Sequence, residues 1–421
     1  MPEYPNLPSA PQPEFSSCKR ELLSALFSYG LGFLYVEAVF ADRPLLLALF
    51  AAAFAAVGLF HFPENVKQKE HWVWLGCLLL CLGCSLWGRN RVWGEYTFLF
   101  LHAFAIYWIM TLSGKLTDGE SSVFLPMDAL NGAILLPFSN FFTFFRTRVL
   151  FWGIRRLRNG KRIDLTKAAA ALLAAAAALC LFLNAGNLLS SADAAFGAFF
   201  TTLLPSLNSE SLVNFFVKFL LSIPVGAYLY GLIAGAGRLS AEIPQKRKTS
   251  ILQSLARLRH VPNGVWIGLL ACFILLYLLF FGFQARYAFG AFTRTLPQDF
   301  TVAEYARQGF FELCRVMVLN FSLLWLILAS TVRPVREDRP LLCLCTALLA
   351  ESLLFAVNAL SKLLLYIDCF GFTPLRLQSF WLVCVLLMAC ILQIISLWTG
   401  RKTAKLWILF SGISLSLLHL Y

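Results

Sequence analysis

The stretch Phe300–Asn320, FTVAEYARQGFFELCRVMVLN, crowds polar residues at the mouth of an apolar run. Thr301 and Glu304 have the S/T-x-x-E spacing of a capping box, in which each side chain satisfies a free backbone N–H of the other residue. Phe300 and Tyr305 fill the two positions of a hydrophobic staple. The pattern predicts a helix from Val302 that nothing breaks before Pro334, roughly 30 residues or about 45 Å at 1.5 Å per residue. The hydrocarbon core of a bilayer is only about 30 Å thick, so the first turns are expected to project into the outer interface.

Glu304, Gln308, Glu312 and Arg315 recur at i, i+4, i+8 and i+11 and share one helical face. Glu304–Arg307 and Glu312–Arg315 are i, i+3 pairs with the acid N-terminal, the better orientation. Two readings follow. One is a self-neutralised stripe packed inside a bundle, with Glu312 and Arg315 paired and facing other helices. The other is a binding or proton-handling site, because a charge in lipid costs ~2.5 kcal/mol or more and is retained for function.

The rest of the chain supplies the membrane context. It has 421 residues, 59% hydrophobic and 14% charged, with a mean hydropathy of +0.72. Soluble domains carry about 25% charged residues, so this is the composition of a polytopic membrane protein. The net charge of +13 does not point to nucleic acid, since no basic-aromatic groove is visible. The basic residues instead fall in alternate loops. Residues 146–167 hold eight Lys/Arg, 238–259 six, 333–339 three and 401–405 three, against none, two and one in 185–210, 284–300 and 366–377. The first set is expected on the cytoplasmic side.

Apolar spans are read at 22–40, 44–60, 72–88, 96–113, 166–184, 211–235, 264–283, 309–331, 341–365, 378–399 and 404–420. Trp72, Trp74, Trp87, Trp93 and Tyr96 flank the third and fourth, as interfacial aromatics do. Residues 123–145, VFLPMDALNGAILLPFSNFFTFF, are apolar but interrupted by Pro126, Asp128, Asn131, Gly132, Pro137 and Asn140. They are expected to form a broken re-entrant or interfacial helix, because each proline removes a backbone donor that lipid cannot replace. The expected fold is therefore all-α, a transmembrane bundle of about eleven spans plus that broken segment, N-terminus inside and C-terminus outside.

Residues 1–17 hold five prolines and, with the residues up to 20, read as a disordered cytoplasmic tail with no cleavable signal peptide. A four-span region (21–114) and a C-terminal membrane domain (115–421) follow. The twelve cysteines show no metal-ligand spacing. Cys77, Cys81 and Cys84 lie on one face of an apolar span, where cysteine serves as a small hydrophobe. His61, His71, His102, His260 and His419 are scattered and read as solvated or interfacial. No cofactor, metal or nucleic acid is implied. The partner expected is the bilayer, with anionic lipid contacts at basic loops such as Lys246–Lys248.

Four segments converge on the outer side by topology: Asp193, Gln284 to Tyr287, Glu304 to Arg315, and Asp368 to Arg376. They form either a polar site that includes Tyr305 and Arg307, or loops packed on one another through ion pairs. Glu351 and Lys362 are eleven residues apart and project from one face of the ninth span about 16 Å apart. Lys362 is expected to snorkel outward, while Glu351 is expected to be buried against another helix, as a structural group or a proton relay.

LPFSNFF (136–142), LLSSADAAF (188–196), LLFFGFQARYAFG (278–290), EYARQGFFEL (304–313) and LLLYIDCFGFTPLR (363–376) occur in that order. Together, over about residues 125–400, they resemble an uncharacterised family of bacterial multi-pass membrane proteins, a domain of unknown function. The resemblance implies a helical bundle in a bacterial cytoplasmic membrane and no particular chemistry. Three functions fit the residues: handling of a small solute, ion or lipid, or envelope sensing, without catalysis; a membrane-embedded transferase or hydrolase using Asp193, Glu304 or Asp368 as base; and an interaction subunit of a membrane complex.

Overall fold

A computed structural model describes residues 15–41, 43–87, 96–144, 209–239, 242–284 and 302–420, with isolated positions between 178 and 199. Every regular element of more than one residue pair in it is helical. Among the described residues, seven helices are long and apolar enough to cross a membrane, and three shorter ones are apolar. That composition implies membrane embedding. These ten coincide with ten of the expected spans. The eleventh, 166–184, falls almost wholly outside the described residues, as do Trp93 and the Thr301 end of the capping box.

The chain divides into two compact units, Met1–Lys67 with Leu130–Arg238, and Gln68–Ala129 with Leu239–Tyr421. In the first, α1 (Phe15–Ala41) packs against α2 (Pro44–His61) and the long helix numbered α7 below. Helix α1 begins at Phe15, inside the segment read as tail. Three more helices precede α7: α3 (Glu70–Leu86), α4 (Tyr96–Leu112) and α5 (Leu125–Leu130). The last leads into a π-helical turn, Asn131–Leu135, and then α6 (Leu136–Ser139). The expected break is thus a widened turn within about 15 residues of helix, roughly 22 Å and too short for the hydrocarbon core. Pro137 has no N–H for the carbonyl of Ala133, and Tyr228 Oη donates to that carbonyl at 2.8 Å. The Leu136 N–H reaches back to Asn131 O, closing the π turn.

Tyr228 belongs to α7 (Ser209–Arg238). This helix packs closely against α1. A Cβ on Gly32 would stand 2.5 Å from Ser222 O and 2.6 Å from Gly226 N, and one on Gly226 would stand 2.9 Å from Ser28 O. Only backbone hydrogen fits there, the small-residue contact by which helices associate in lipid. One intramembrane ion pair sits in the same interface, Lys218 Nζ to Glu37 at 2.8 Å.

In the second unit, α8 (Glu242–Ala256), α9 (Asn263–Gln284), α10 (Val302–Ser330), α11 (Arg339–Phe370), α12 (Pro374–Thr399) and α13 (Ala404–Leu417) follow α3 to α5. Helix α11 is central and packs against α9, α10 and α12. Asp338 caps it, accepting from Leu341 N, and Gly371 ends it at φ 78°. Asn263 ties the start of α9 to the α10–α11 connection, through Arg333 O at 3.2 Å and Asp338 at 2.9 Å. Helix α3 packs on α13, and Trp74 is buried there against Gly412, Phe104 and Tyr107. Trp74 is therefore core rather than interface, whereas Trp72, Trp87 and Tyr96 are exposed. His71 and His419 are also buried instead of solvated.

The α1–α7 crossing gives a sharp expectation. Gly32→Ala forces Cβ into backbone that has no rotamer to adjust, at a cost of about 1–3 kcal/mol. Gly30→Ala, two residues away with nothing within 4 Å of its Cβ position, should be neutral or stabilise by up to about 1 kcal/mol through helix propensity. Thermal unfolding of the two purified variants distinguishes these outcomes.

Candidate functional site

The polar residues that come together lie inside the second unit, on and around α11. Helix α11 has 32 residues, about 48 Å, and Glu351 stands near its midpoint. Glu351, Asn358 and Lys362 recur at i, i+7 and i+11, one stripe of the helix. Their exposures are 7%, 0% and 5%. The buried carboxylate agrees with expectation. The lysine does not: it is held in the bundle, in the field of Glu312 on α10, instead of snorkelling out.

Next to this stripe runs a directed hydrogen-bond chain. Tyr277 Oη of α9 donates to Asn320 Oδ1 of α10 at 2.7 Å, and Asn320 Nδ2 donates to Ser352 Oγ of α11 at 2.9 Å. Ser352 Oγ then donates to Leu348 O at 2.9 Å. The chain fixes the rotation of three helices at the level of Glu351. Phe355 separates Glu351 from Asn358 and is gripped by Tyr277, Phe280 and Phe281 of α9, at ring-centroid distances of 5.1, 5.8 and 4.8 Å.

The stripe is polar without being satisfied. Glu351 Oε2 and both amide atoms of Asn358 have no hydrogen-bond partner. An unmet buried polar group costs about 1–3 kcal/mol, and structures retain few of them. Three such atoms on one stripe mark a place built for something besides packing.

The other expected site residues are dispersed. Asp193 lies in the first unit, exposed, and its carboxylate accepts from Ala195 N and Phe196 N at 2.8 and 2.9 Å. That is a local capping role. Arg376 closes the α11–α12 turn: Nη1 donates to Phe370 O at 2.8 Å and to Gly371 O, with the guanidinium 4.3 Å over the Tyr366 ring. Asp368 is exposed at the end of α11. Glu304, Tyr305 and Arg307 stand in the first turns of α10, and Gln284 ends α9. Tyr287 lies outside the described residues.

Glu312 and Arg315 overturn the pairing expectation. Both are exposed, and no ion pair joins them among the described residues. The face of α10 that enters the core carries Phe310, Leu313, Met317, Asn320, Leu324 and Ile327. Glu312 and Arg315 are offset from it, so the interior face is not the one expected from their periodicity.

A second polar assembly binds connecting segments at one end of this unit. Asp118 meets Lys248 and, at 3.1 Å, Lys402. Lys405 bridges Glu70 at 3.0 Å and Glu120 at 2.9 Å. Glu70 also accepts from Ser121 N at 3.0 Å, and buried Asp128 accepts from Thr117 Oγ1 at 2.5 Å. Burial opposes the charged form of Asp118, but hydrogen bonds and charge from Lys248 and Lys402 outweigh it and hold the carboxyl below its ordinary value. Every polar group named in this assembly is partnered, so it reads as a clasp between loops. The signal in the sequence was the acidic run TDGES (117–121) facing basic loops.

Tyr277, Asn320 and Asn358 were not singled out from the sequence. Each is a solitary polar residue inside an apolar run (LLYLLFF, VMVLNFSLL, LLFAVNALSK), and that interruption was the available signal. Among the described residues, no three or more His, Cys, Asp or Glu side chains are gathered as a metal site.

Residues 25–421 match the profile of a family described as Domain of unknown function (DUF4153). No curated protein and no solved structure matches the chain.

The hydrogen-bond chain can be tested by its asymmetry. Asn320→Leu alone strands the Tyr277 hydroxyl and should cost about 1–3 kcal/mol. Adding Tyr277→Phe and Ser352→Ala removes the stranded groups and should recover part of that loss. Melting of the single and triple variants, purified side by side, checks the order.

Proposed function

The chain belongs to the DUF4153 family, a domain of unknown function covering residues 25–421, and we propose that it is a non-enzymatic membrane protein handling a small polar solute or ion. The observation that carries this reading is the buried stripe Glu351–Asn358–Lys362, on which Glu351 Oε2 and both amide atoms of Asn358 have no hydrogen-bond partner. A transporter needs polar groups continued through the apolar interior, and intramembrane ionisable residues are retained for such pathways. The spacing of the three along α11, about 16 Å end to end, covers half the hydrocarbon thickness.

The proposal includes the threading. Loops rich in Lys and Arg face the cytoplasm, the N-terminus is inside and the C-terminus outside, in a bacterial cytoplasmic membrane, with about eleven spans and one broken segment. The meeting of Lys248, Lys402 and Lys405 with Glu70, Asp118 and Glu120 supports this, because it draws four predicted cytoplasmic segments to one end of the second unit. Exposed Lys246, which otherwise pairs with Glu242 at 3.0 Å, is available to anionic headgroups at about 1 kcal/mol. An outer-face hydrolase or transferase is less well supported, since Asp193 and Asp368 are exposed and belong to different units.

The test is a thermal-shift screen of the purified full chain against amino acids, sugars, organic acids and monovalent cations. A bound solute at a hundredfold excess over its Kd stabilises by about 2.7 kcal/mol. At least one class should raise the melting temperature, and Asn358→Ala should abolish the shift. No shift with any class, or a shift retained in Asn358→Ala, contradicts the reading.

A further inference from the structure

The buried carboxylate differs from every other acid among the described residues whose partners are given. Asp118, Glu120, Glu70 and Glu37 have lysine partners, and Asp128 has Thr117. Glu351 is 7% exposed, near the middle of a 32-residue helix, with Oε2 unpartnered. Lys362 is about 16 Å away along the same helix. On α10, Arg315 and Glu312 lie five and eight residues from Asn320, about 8 and 12 Å from the level of Ser352. Helix α9 carries no charged residue, and α12 has Arg376 alone. The other titratable groups on these elements are Cys272 and Tyr277 on α9, Glu304, Tyr305, Arg307 and Cys314 on α10, Arg339, Cys343, Cys345, Tyr366, Asp368 and Cys369 on α11, and Cys384 and Cys390 on α12.

No nearby cation thus neutralises this carboxyl, and an isolated buried carboxylate is costly enough that the group takes a proton instead. The neighbouring hydroxyl and amide are already committed. Tyr277 donates to Asn320, Asn320 donates to Ser352, and Ser352 donates to Leu348. The chain is an anchored scaffold that ends on the Leu348 carbonyl. What remains open on Glu351 is Oε2, buried and without a partner.

We infer that Glu351 is a proton-carrying residue, so that the solute or ion handled by this protein moves in exchange or in company with a proton. When water reaches Oε2, the O–H bond breaks, the electron pair stays on the carboxylate oxygen and the proton passes to water as hydronium. Rebinding reverses the step, and no oxidant or reductant enters. Tyr277, Asn320 and Ser352 are positioning residues that fix α11 around the carboxyl. The inference rests on the solute-handling reading for its purpose, though not for the protonation itself.

The test is infrared difference spectroscopy of the full chain in lipid, titrated from acid to alkaline pH, with wild type and Glu351→Gln compared. A carboxylic C=O band should be present at neutral pH, disappear on alkalinisation, and be lost in Glu351→Gln. A band that persists in Glu351→Gln, or no titrating band in wild type, overturns the inference. If Glu351→Gln does not accumulate, Glu351→Asp serves. It should retain a titrating band at a shifted midpoint, and absence of that band also overturns the inference. A titrating band combined with a blank solute screen would leave the proton site standing and remove the solute-handling reading.

Discussion

Inside a hydrocarbon layer a polar group has no water to fall back on, and the described structure is organised by how each one is met. The constraint acts first on backbone. Pro137 deprives Ala133 of its helical donor, and the hydroxyl of Tyr228 replaces it at 2.8 Å. It acts next on side chains. Glu37 is met by Lys218 within the first unit, and in the second the Tyr277–Asn320–Ser352 chain joins three helices. Each of these contacts sets the rotation of a helix, which apolar packing alone leaves loosely defined in lipid.

Exceptions to the rule are grouped on α11. Glu351 and Asn358 share one stripe of α11, are buried, and leave three polar atoms unmet. The clasp of lysines and acids at one end of the same unit shows the opposite condition, with every named charge answered. A unit that answers each named charge of this clasp, yet keeps a carboxyl and an amide unanswered in its centre, concentrates functional interest at the centre.

Much of the architecture was legible in the sequence because bilayer thickness sets helix length and composition. The ten apolar helices, the start of α10 at Val302 and the interruption between Pro126 and Asn140 all follow from runs and breaks. Azimuth was not legible. Trp74 was read as interfacial from its neighbours, but Gly412 opens a slot for its ring. Lys362 was expected at the surface, and only the packing of α10 on α11 shows it buried. Glu312 and Arg315 formed a convincing stripe, yet hydrophobic residues at 310, 313, 317, 324 and 327 claim the interior face. The Gly32–Gly226 crossing escaped notice for a related reason: small residues become meaningful only when the partner helix is known.

The measurement that bears most directly on the centre of this account is an experimental density map of the full chain in a lipid nanodisc, fine enough to show ordered water. The account predicts an intact Tyr277–Asn320–Ser352 chain, with water or solute density at hydrogen-bond distance from Glu351 Oε2 and the Asn358 amide. Both side chains turned onto protein partners, or the stripe opening onto lipid tails, would contradict it.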